Sequence, residues 1–541
     1  MTAPRLRRRA VLPLLAGAAF APRFLAAQTA GEAAQHYANP VLPGFHPDPS
    51  ICRVGEDYYL ATSSFEYFPG VPIHHSRDLV HWRLIGHALT RESQLPLAGQ
   101  AASKGIFAPT LRWHAGRFYM VTTNIEGGGN FYVTATDPAG PWSEPVWLHE
   151  STFGMDPSLW FDDDGRVYYT RHGGGQNGGV YQAELDLATG RLKDEARLIW
   201  PGTGGIWPEG PHLFKREGWY YLLISEGGTS WEHSLTMARS RSPWGPFEPH
   251  PDNPILTHRN RPDEPLQMVG HADLVQAANG RWWLVLLGTR PAARNTPLGR
   301  ETLLAPAEWD ERGWLVVNRH EPIRREMAVD GLPPPHPWPA EPARDGFDAA
   351  TLGLEWNFLR SSAKGLWSLS ERPGWLRLKG TATGLNDAAT PAFVGRRQTA
   401  LRQCAVTLLD FHPQAEGQEA GLVLRRDEAH HVRLRVVGST RRRVELVRSV
   451  KGEERVLGRV DLADAAGASS LAQLQILAWP DRYEFMAGAP GQPPWALGSV
   501  PIADLSVPNS FTGTYFGLYA SGPGAMPPAD FDWFELVTTE S

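Results

Sequence analysis

The chain has 541 residues and a formal net charge of −6, long enough for two or three domains with a substantial core. It holds 21 Trp, 55 Gly and 47 Pro, a mixture that suits short strands and many turns rather than a helical bundle. Five arginines and no acid fall within residues 1–27, so the remainder carries about −6 − 5 = −11, and no basic patch is left to hold nucleic acid.

The N-terminal stretch "RLRRRAVLPLLAGAAFAPRFLAAQ" has a basic start, an apolar run and small residues before Gln28. That pattern predicts an export signal over residues 1–27. The paired arginines suit the twin-arginine type, and a general secretory signal is the alternative. Pro13, Pro22 and Arg23 interrupt it short of the ~20 apolar residues that a membrane span needs. The mature protein is therefore expected to be periplasmic or extracellular, with no membrane contact once the signal is removed. Cys52 and Cys404 are the only cysteines and are expected to stay unpaired, being too few for a disulfide framework.

From residue 44 the sequence "GFHPDPSICRVGEDYYLATSS" sets Asp48 between two prolines, ahead of a β-forming run. The run recurs. Glycine-led aromatic segments begin at Gly55, Gly116, Gly165, Gly218 and Gly280, at intervals of 61, 49, 53 and 62 residues. Each follows a shorter β-like segment across a turn, which reads as a hairpin. Further strand-and-turn material fills each interval. About four strands per ~55 residues, five times over, predicts an all-β, five-bladed β-propeller spanning residues 36–328.

In a propeller the first strand of each blade lines the central channel, and its leading end opens onto one face. The segments there read "HPDPS", "FAPTL", "GMDPS", "WPEGPH" and "VGHADL". Asp48, Asp156, Glu209 and His271 are therefore expected to converge, although up to 223 residues separate them in sequence. Two carboxylates beside a small polar pocket suit hydrolysis of a glycosidic bond, one activating water and one protonating the leaving oxygen. A third can hold a neighbour's pKa high, since like charges in one site resist ionising together. Phe65, Phe68, Phe107, Trp207 and Trp231 offer faces to sugar rings. Alternatively, the acids could satisfy backbone groups or bind a cation. The run Asp162–Asp164 reads as a solvated hairpin turn.

"NPVLPGFHPDPSICR", "SSFEYFPGVPIHHSRDLVHW", "GIFAPTLRW", "GMDPSLWFDDDG", "EGPHLF", "EGGTSWEHSLTMARS", "GHADLVQ" and "LGRET" together resemble glycoside hydrolase family 43, most closely its β-xylosidase branch. The resemblance implies an inverting exo-glycosidase that removes terminal D-xylose from β-1,4-xylo-oligosaccharides, with α-L-arabinofuranosidase activity as the alternative. It implies Asp48 as general base, Glu209 as general acid and Asp156 as the residue that orients the acid and raises its pKa. Inversion would place the Asp48 and Glu209 carboxyls roughly 6.5–9.5 Å apart. Arg300 matches an arginine at the sugar, and its planar fork suits vicinal hydroxyls or a carboxylate. His271 matches a histidine near the axis that in some relatives sits beside a calcium ion. No cofactor is required, but a structural calcium in the channel is a candidate, held by His271 through water. The partner is an oligosaccharide, and a homo-oligomer is left open. From another class, a non-catalytic carbohydrate-binding propeller would share the fold but not need the three acids.

"DGLPPPHPWPAEPARDG" is proline-rich and semi-rigid, and predicts a linker over residues 329–345. Beyond it, residues 346–541 alternate apolar and polar positions over short spans, the pattern of a β-sandwich. The resemblance implies a concanavalin-like domain with a loop over the propeller, and Phe511 in "FTGTYFG" matches an aromatic that closes the pocket there.

Overall fold

The structure, a computed structural model, describes residues 36–150, 154–462, 471–508 and 510–539. The expected export signal lies outside these residues. Five antiparallel sheets follow one another along the first part of the chain. Their opening strands are Ser50–Val54, Thr110–His114, Met155–Phe161, Glu209–Arg216 and Gln267–Gln276, and each pairs with the glycine-led strand after it. The five opening strands pack neighbour against neighbour, and the last returns to the first. The sheets therefore stand as five blades around an axis.

The ring is stitched shut by the segment that precedes the first blade. His36–Ala38 pairs with Glu326–Ala328, and the backbone then runs along the fifth blade. Leu42 N donates to Thr302 O at 3.2 Å and His46 N to Arg300 O at 3.0 Å. The Asn39 amide donates to Leu304 O at 3.0 Å. This stitching sets the first blade's Asp48 beside the fifth blade's Arg300, which lie 252 residues apart.

Residues 329–343 form no strand, and the stretch clings to the first blade. His336 N donates to Asp78 Oδ2 at 2.6 Å, and Arg83 lies over the Trp338 ring at 3.9 Å. Two sheets follow, of eight and six strands. Leu471–Ala478 in the larger sheet alternates half-buried and buried residues, as a strand with one covered face does. Glu419–Arg425 in the smaller is buried throughout, because its second face meets the propeller. There Phe393, Val423, Tyr515 and Tyr519 share one apolar cluster with Phe45, Phe65 and Tyr67. Phe358–Leu359 also pairs with Tyr67–Phe68 across the junction.

Asp162 corrects the reading of its acidic run. It is buried, accepting from Lys215 Nζ at 2.8 Å and Tyr220 OH at 2.6 Å. Only its neighbours Asp163 and Asp164 are exposed. Both cysteines are free.

Three buried histidines gather where the first blade meets the sandwich. The rings of His46 and His74 stand edge to face at 5.0 Å, and His87 and Arg397 lie close by. Burial, helped by the Arg397 charge, pushes His74 and His87 down to about 3, and His46 well below its usual range. All three fold neutral. An unfolded chain takes up protons on them below about pH 6.5, so their contribution is intact above that pH and is lost as pH falls toward 3. The loss is on the order of 1.4 kcal/mol per pH unit per histidine. Thermal unfolding followed from pH 8 to pH 4 should show a level Tm down to about 6.5 and a steep fall below it. His87→Gln should flatten that fall, and a Tm level to pH 4 would rule out the buried neutral cluster.

Candidate active site

The leading ends of the opening strands are distorted in the same way. Asp48, Asp156 and His271 have φ of 54°, 53° and 44°, a left-handed backbone that is uncommon away from glycine. The register of three strands shifts there, between Met155 and Ser158, between Glu209 and His212, and between Gly270 and Asp273. A bulge at a strand end re-aims a side chain, and these turn the functional groups toward the channel mouth. Such strain persists only where surrounding structure over-determines it, and it gathers at functional sites.

Asp48, Asp156, Glu209, His271, Arg300, Phe65, Phe107 and Phe511 all line one open cavity, together with Ala108, Met155 and Thr229. Asp48 is the most fully partnered acid. Arg300 Nη1 donates to its Oδ1 at 2.6 Å and Nη2 to its Oδ2 at 3.3 Å, while Ser63 Oγ donates to Oδ2 at 2.6 Å. The His271 Nδ1 lies 3.7 Å from Asp48 Oδ1. Arg300 does not pair with its neighbour Glu301, whose carboxylate is held by Arg290 at 2.8 Å.

Glu209 is the opposite case. Burial, then the charges of Asp156 and Asp48, push its carboxyl well above the usual range, with Arg300 opposing. Asp156 is also raised, first by burial, with His271 opposing, and it accepts a hydrogen bond from the Gly210 backbone. Gly210 itself has φ of 58°. A Cβ there would stand 2.9 Å from His271 Nε2, so only glycine lets the strand turn Glu209 outward beside that ring.

One wall is aromatic. Phe65 lies 5.2 Å from Phe107 and 5.7 Å from Phe511, and Phe107 meets Phe511 edge-on at 5.7 Å. Phe511 arrives from the sandwich. Its N–H donates to Ser103 Oγ at 3.0 Å and its carbonyl accepts from Arg300 Nη2 at 3.3 Å. Trp207, Trp231 and Phe68 do not line the cavity. Phe68 lies in the core, and Trp207 packs beside His172 at 5.7 Å.

The donor set near His271 does not suit the calcium that the resemblance allows. The channel beneath is filled by Arg112, which donates to Asp273 at 2.7 and 3.2 Å, to Ser50 Oγ at 3.3 Å and to His212 Nδ1 at 2.9 Å. Its guanidinium thus ties strands of the first, second, fourth and fifth blades together across the channel. Among the described residues no three His, Cys, Asp or Glu side chains are grouped to hold a metal. Calcium prefers six to eight oxygen ligands.

His172 and His233 were not singled out in the sequence. His172 Nδ1 lies 3.0 Å from Pro208 O, fixing the segment before Glu209. Each is a lone histidine in its segment, and only the blade repeat, read one strand further along, points inward at them.

A propeller that gathers two buried carboxylates, a third that is largely covered and an arginine into one hollow walled by aromatic rings defines a glycoside hydrolase. The family model for "Glycosyl hydrolases family 43" matches residues 37–315, and the "Beta xylosidase C-terminal Concanavalin A-like domain" matches residues 344–537. The chain belongs to glycoside hydrolase family 43. It is 45% identical over 509 residues to the non-reducing end alpha-L-arabinofuranosidase of Bacteroides ovatus, covering 92% of this chain and 94% of that one. It is 38% identical over 537 residues to the xylan 1,3-beta-xylosidase of a Vibrio species, covering 92% and 98%. Among solved structures, the xylan beta-1,4-xylosidase of Bacillus halodurans superposes with a TM-score of 0.86 at 38% identity, covering 92% of this chain and 99% of that one. The Xyloglucan PUL GH43B protein of Bacteroides ovatus gives 0.88 at 44%, covering 93% and 100%.

Losing an aromatic wall ring should cost about 1.5–3 kcal/mol of sugar contact, or roughly ten- to a hundredfold in kcat/KM. Phe511→Ala is expected to show that loss with Tm within a few degrees of the parent. An undiminished kcat/KM would remove Phe511 from the sugar wall.

Proposed function

We propose that the protein is an inverting, exo-acting glycoside hydrolase that releases D-xylose from the non-reducing ends of β-1,4-xylo-oligosaccharides. The observation that carries this reading is the contrast between two acids in one cavity. Asp48 is clamped by Arg300 and Ser63, whereas burial and its acidic neighbours favour the protonated form of Glu209.

In this reading Asp48, as carboxylate, takes a proton from a water aimed at the anomeric carbon. Glu209, as carboxylic acid, delivers its proton to the departing glycosidic oxygen. The water's oxygen bonds to carbon on one face as the leaving oxygen departs from the other. Asp156 keeps Glu209 protonated between turnovers. Arg300 holds Asp48 and presents its remaining edge to sugar hydroxyls, and His271 does the same from the axis. The small hollow and the Phe511 wall favour removal of one pentose at a time over cutting within a polymer. Export, inferred from residues 1–27, would bring the enzyme to glycan fragments outside the cytoplasm.

A second reading, α-L-arabinofuranosidase activity alone or in addition, has its own support in the 45% identity to the Bacteroides ovatus arabinofuranosidase. Side-by-side hydrolysis of aryl β-D-xyloside and aryl α-L-arabinofuranoside separates the two.

Proton NMR of xylobiose hydrolysis should show α-D-xylose as the first-formed product. Early β-anomer would mean retention and overturn the base role of Asp48. Glu209→Gln is expected to lower xylobiose turnover by at least about a thousandfold, and near-parental turnover would remove Glu209 as the acid.

A further inference from the structure

Behind Glu209 lies a histidine that the reaction above does not use. His233 sits in the loop leading into Ser234–Ser240 and is 1% exposed. Its Nδ1 is 3.0 Å from the Met268 carbonyl. A carbonyl only accepts, so Nδ1 carries the hydrogen, and in the neutral ring Nε2 holds a lone pair. That Nε2 is buried with no hydrogen-bond partner among the described residues, and its nearest acidic atom is Glu209 Oε1 at 4.0 Å. The gap is too long for a hydrogen bond at rest, but such separations tighten when substrate fills a site.

The ring has a seat made for it. A Cβ on Gly270 would stand 2.4–2.6 Å from its Cε1, Nε2 and Nδ1, so the imidazole lies flat against a bare backbone. The Thr257 hydroxyl donates to the His233 carbonyl at 2.9 Å and fixes the loop. The charged and titratable groups facing the ring are Glu209, His271, Arg300 and Asp48. Burial, with His271 and Arg300 adding to it, pushes His233 down to about 4, which keeps it neutral at neutral pH.

We propose that His233 is a positioning residue for the general acid: by facing Glu209 with a lone pair instead of an N–H, it accepts from the protonated carboxyl and gives the ionised one no donor. The proposal rests on Glu209 being the acid. A donor placed there would hydrogen-bond the carboxylate and favour its ionised form. The Met268 carbonyl, by locking the tautomer, excludes that.

The test is the pH profile of xylobiose kcat/KM, whose basic limb reports the general acid of the free enzyme. His233→Gln, which brings an N–H of similar reach, is expected to move the midpoint of that limb down by about one pH unit. It should also cost about tenfold more on xylobiose than on 2,4-dinitrophenyl β-xyloside, whose leaving group needs little protonation. Gly270→Ala, which pushes the ring from its seat, should shift the limb in the same direction. Lower activity with an unmoved limb in the folded variants would overturn the proposal and leave His233 as packing. Nitrogen NMR of the parent protein, labelled at histidine, gives a reading that needs no variant. The Nδ1–H tautomer is expected at His233 across pH 5–8, and an Nε2–H tautomer would overturn the proposal. Xylobiose turnover by Glu209→Gln would instead sink the assignment of the acid itself, whatever the state of His233.

Discussion

The site depends on an imbalance of charge in a buried place. Three carboxylates meet at the mouth of the propeller, and one guanidinium, Arg300, pairs with only one of them. Arg300 grips Asp48 through both its terminal nitrogens. Asp156 and Glu209 are left to share the remaining field, and burial disfavours charge on both. Glu209 is raised well above its usual range, first by burial and then by the charges of both other acids. Division of labour between chemically similar groups then follows from placement alone.

That placement rests on how the ring closes. The segment from His36 to His46 lies along the fifth blade, so the first acid and the one arginine that lines the cavity among the described residues are neighbours because the circle is closed there. The sandwich completes the enclosure. Phe511 is tied to Ser103 and Arg300 through its own backbone. Ser103 N donates in turn to Glu66 at 3.0 Å, and Glu66 faces the sandwich's Arg425 at 3.6 Å. Burial pushes the Glu66 carboxyl up to about 7 despite that arginine. This junction places the third ring of the aromatic wall, Phe511, beside Phe65 and Phe107 of the propeller.

Much of this was legible in the sequence, and for identifiable reasons. The glycine-led aromatic strands recur because every blade must turn tightly at the same place. Asp48, Asp156, Glu209 and His271 stood out because each falls in the segment that leads a blade, at a comparable point of the repeat. The left-handed backbone at three of them was not visible, although the prolines beside Asp48 and Asp156 hinted at restricted geometry. Arg112 and Asp273 were missed because their pairing spans 161 residues and each looks like an ordinary strand residue. Asp162 misled for a related reason. Its burial depends on Lys215 and Tyr220 from the next blade, and local composition says nothing of a neighbour 53 residues away. His233 was hidden because the group that defines its role is a backbone carbonyl, which carries no side-chain signature.

Infrared difference spectroscopy offers the most direct reading, with the parent protein titrated against Glu209→Gln so that the Glu209 carboxyl band stands alone. Convergence of the three carboxylates requires that band to persist as the protonated form well above pH 4.5, the ordinary glutamate value, and to titrate lower once Asp156→Asn removes a neighbouring charge. A Glu209 that ionises near pH 4.5 and ignores Asp156 would contradict the shared buried field on which the assignment of acid and base stands.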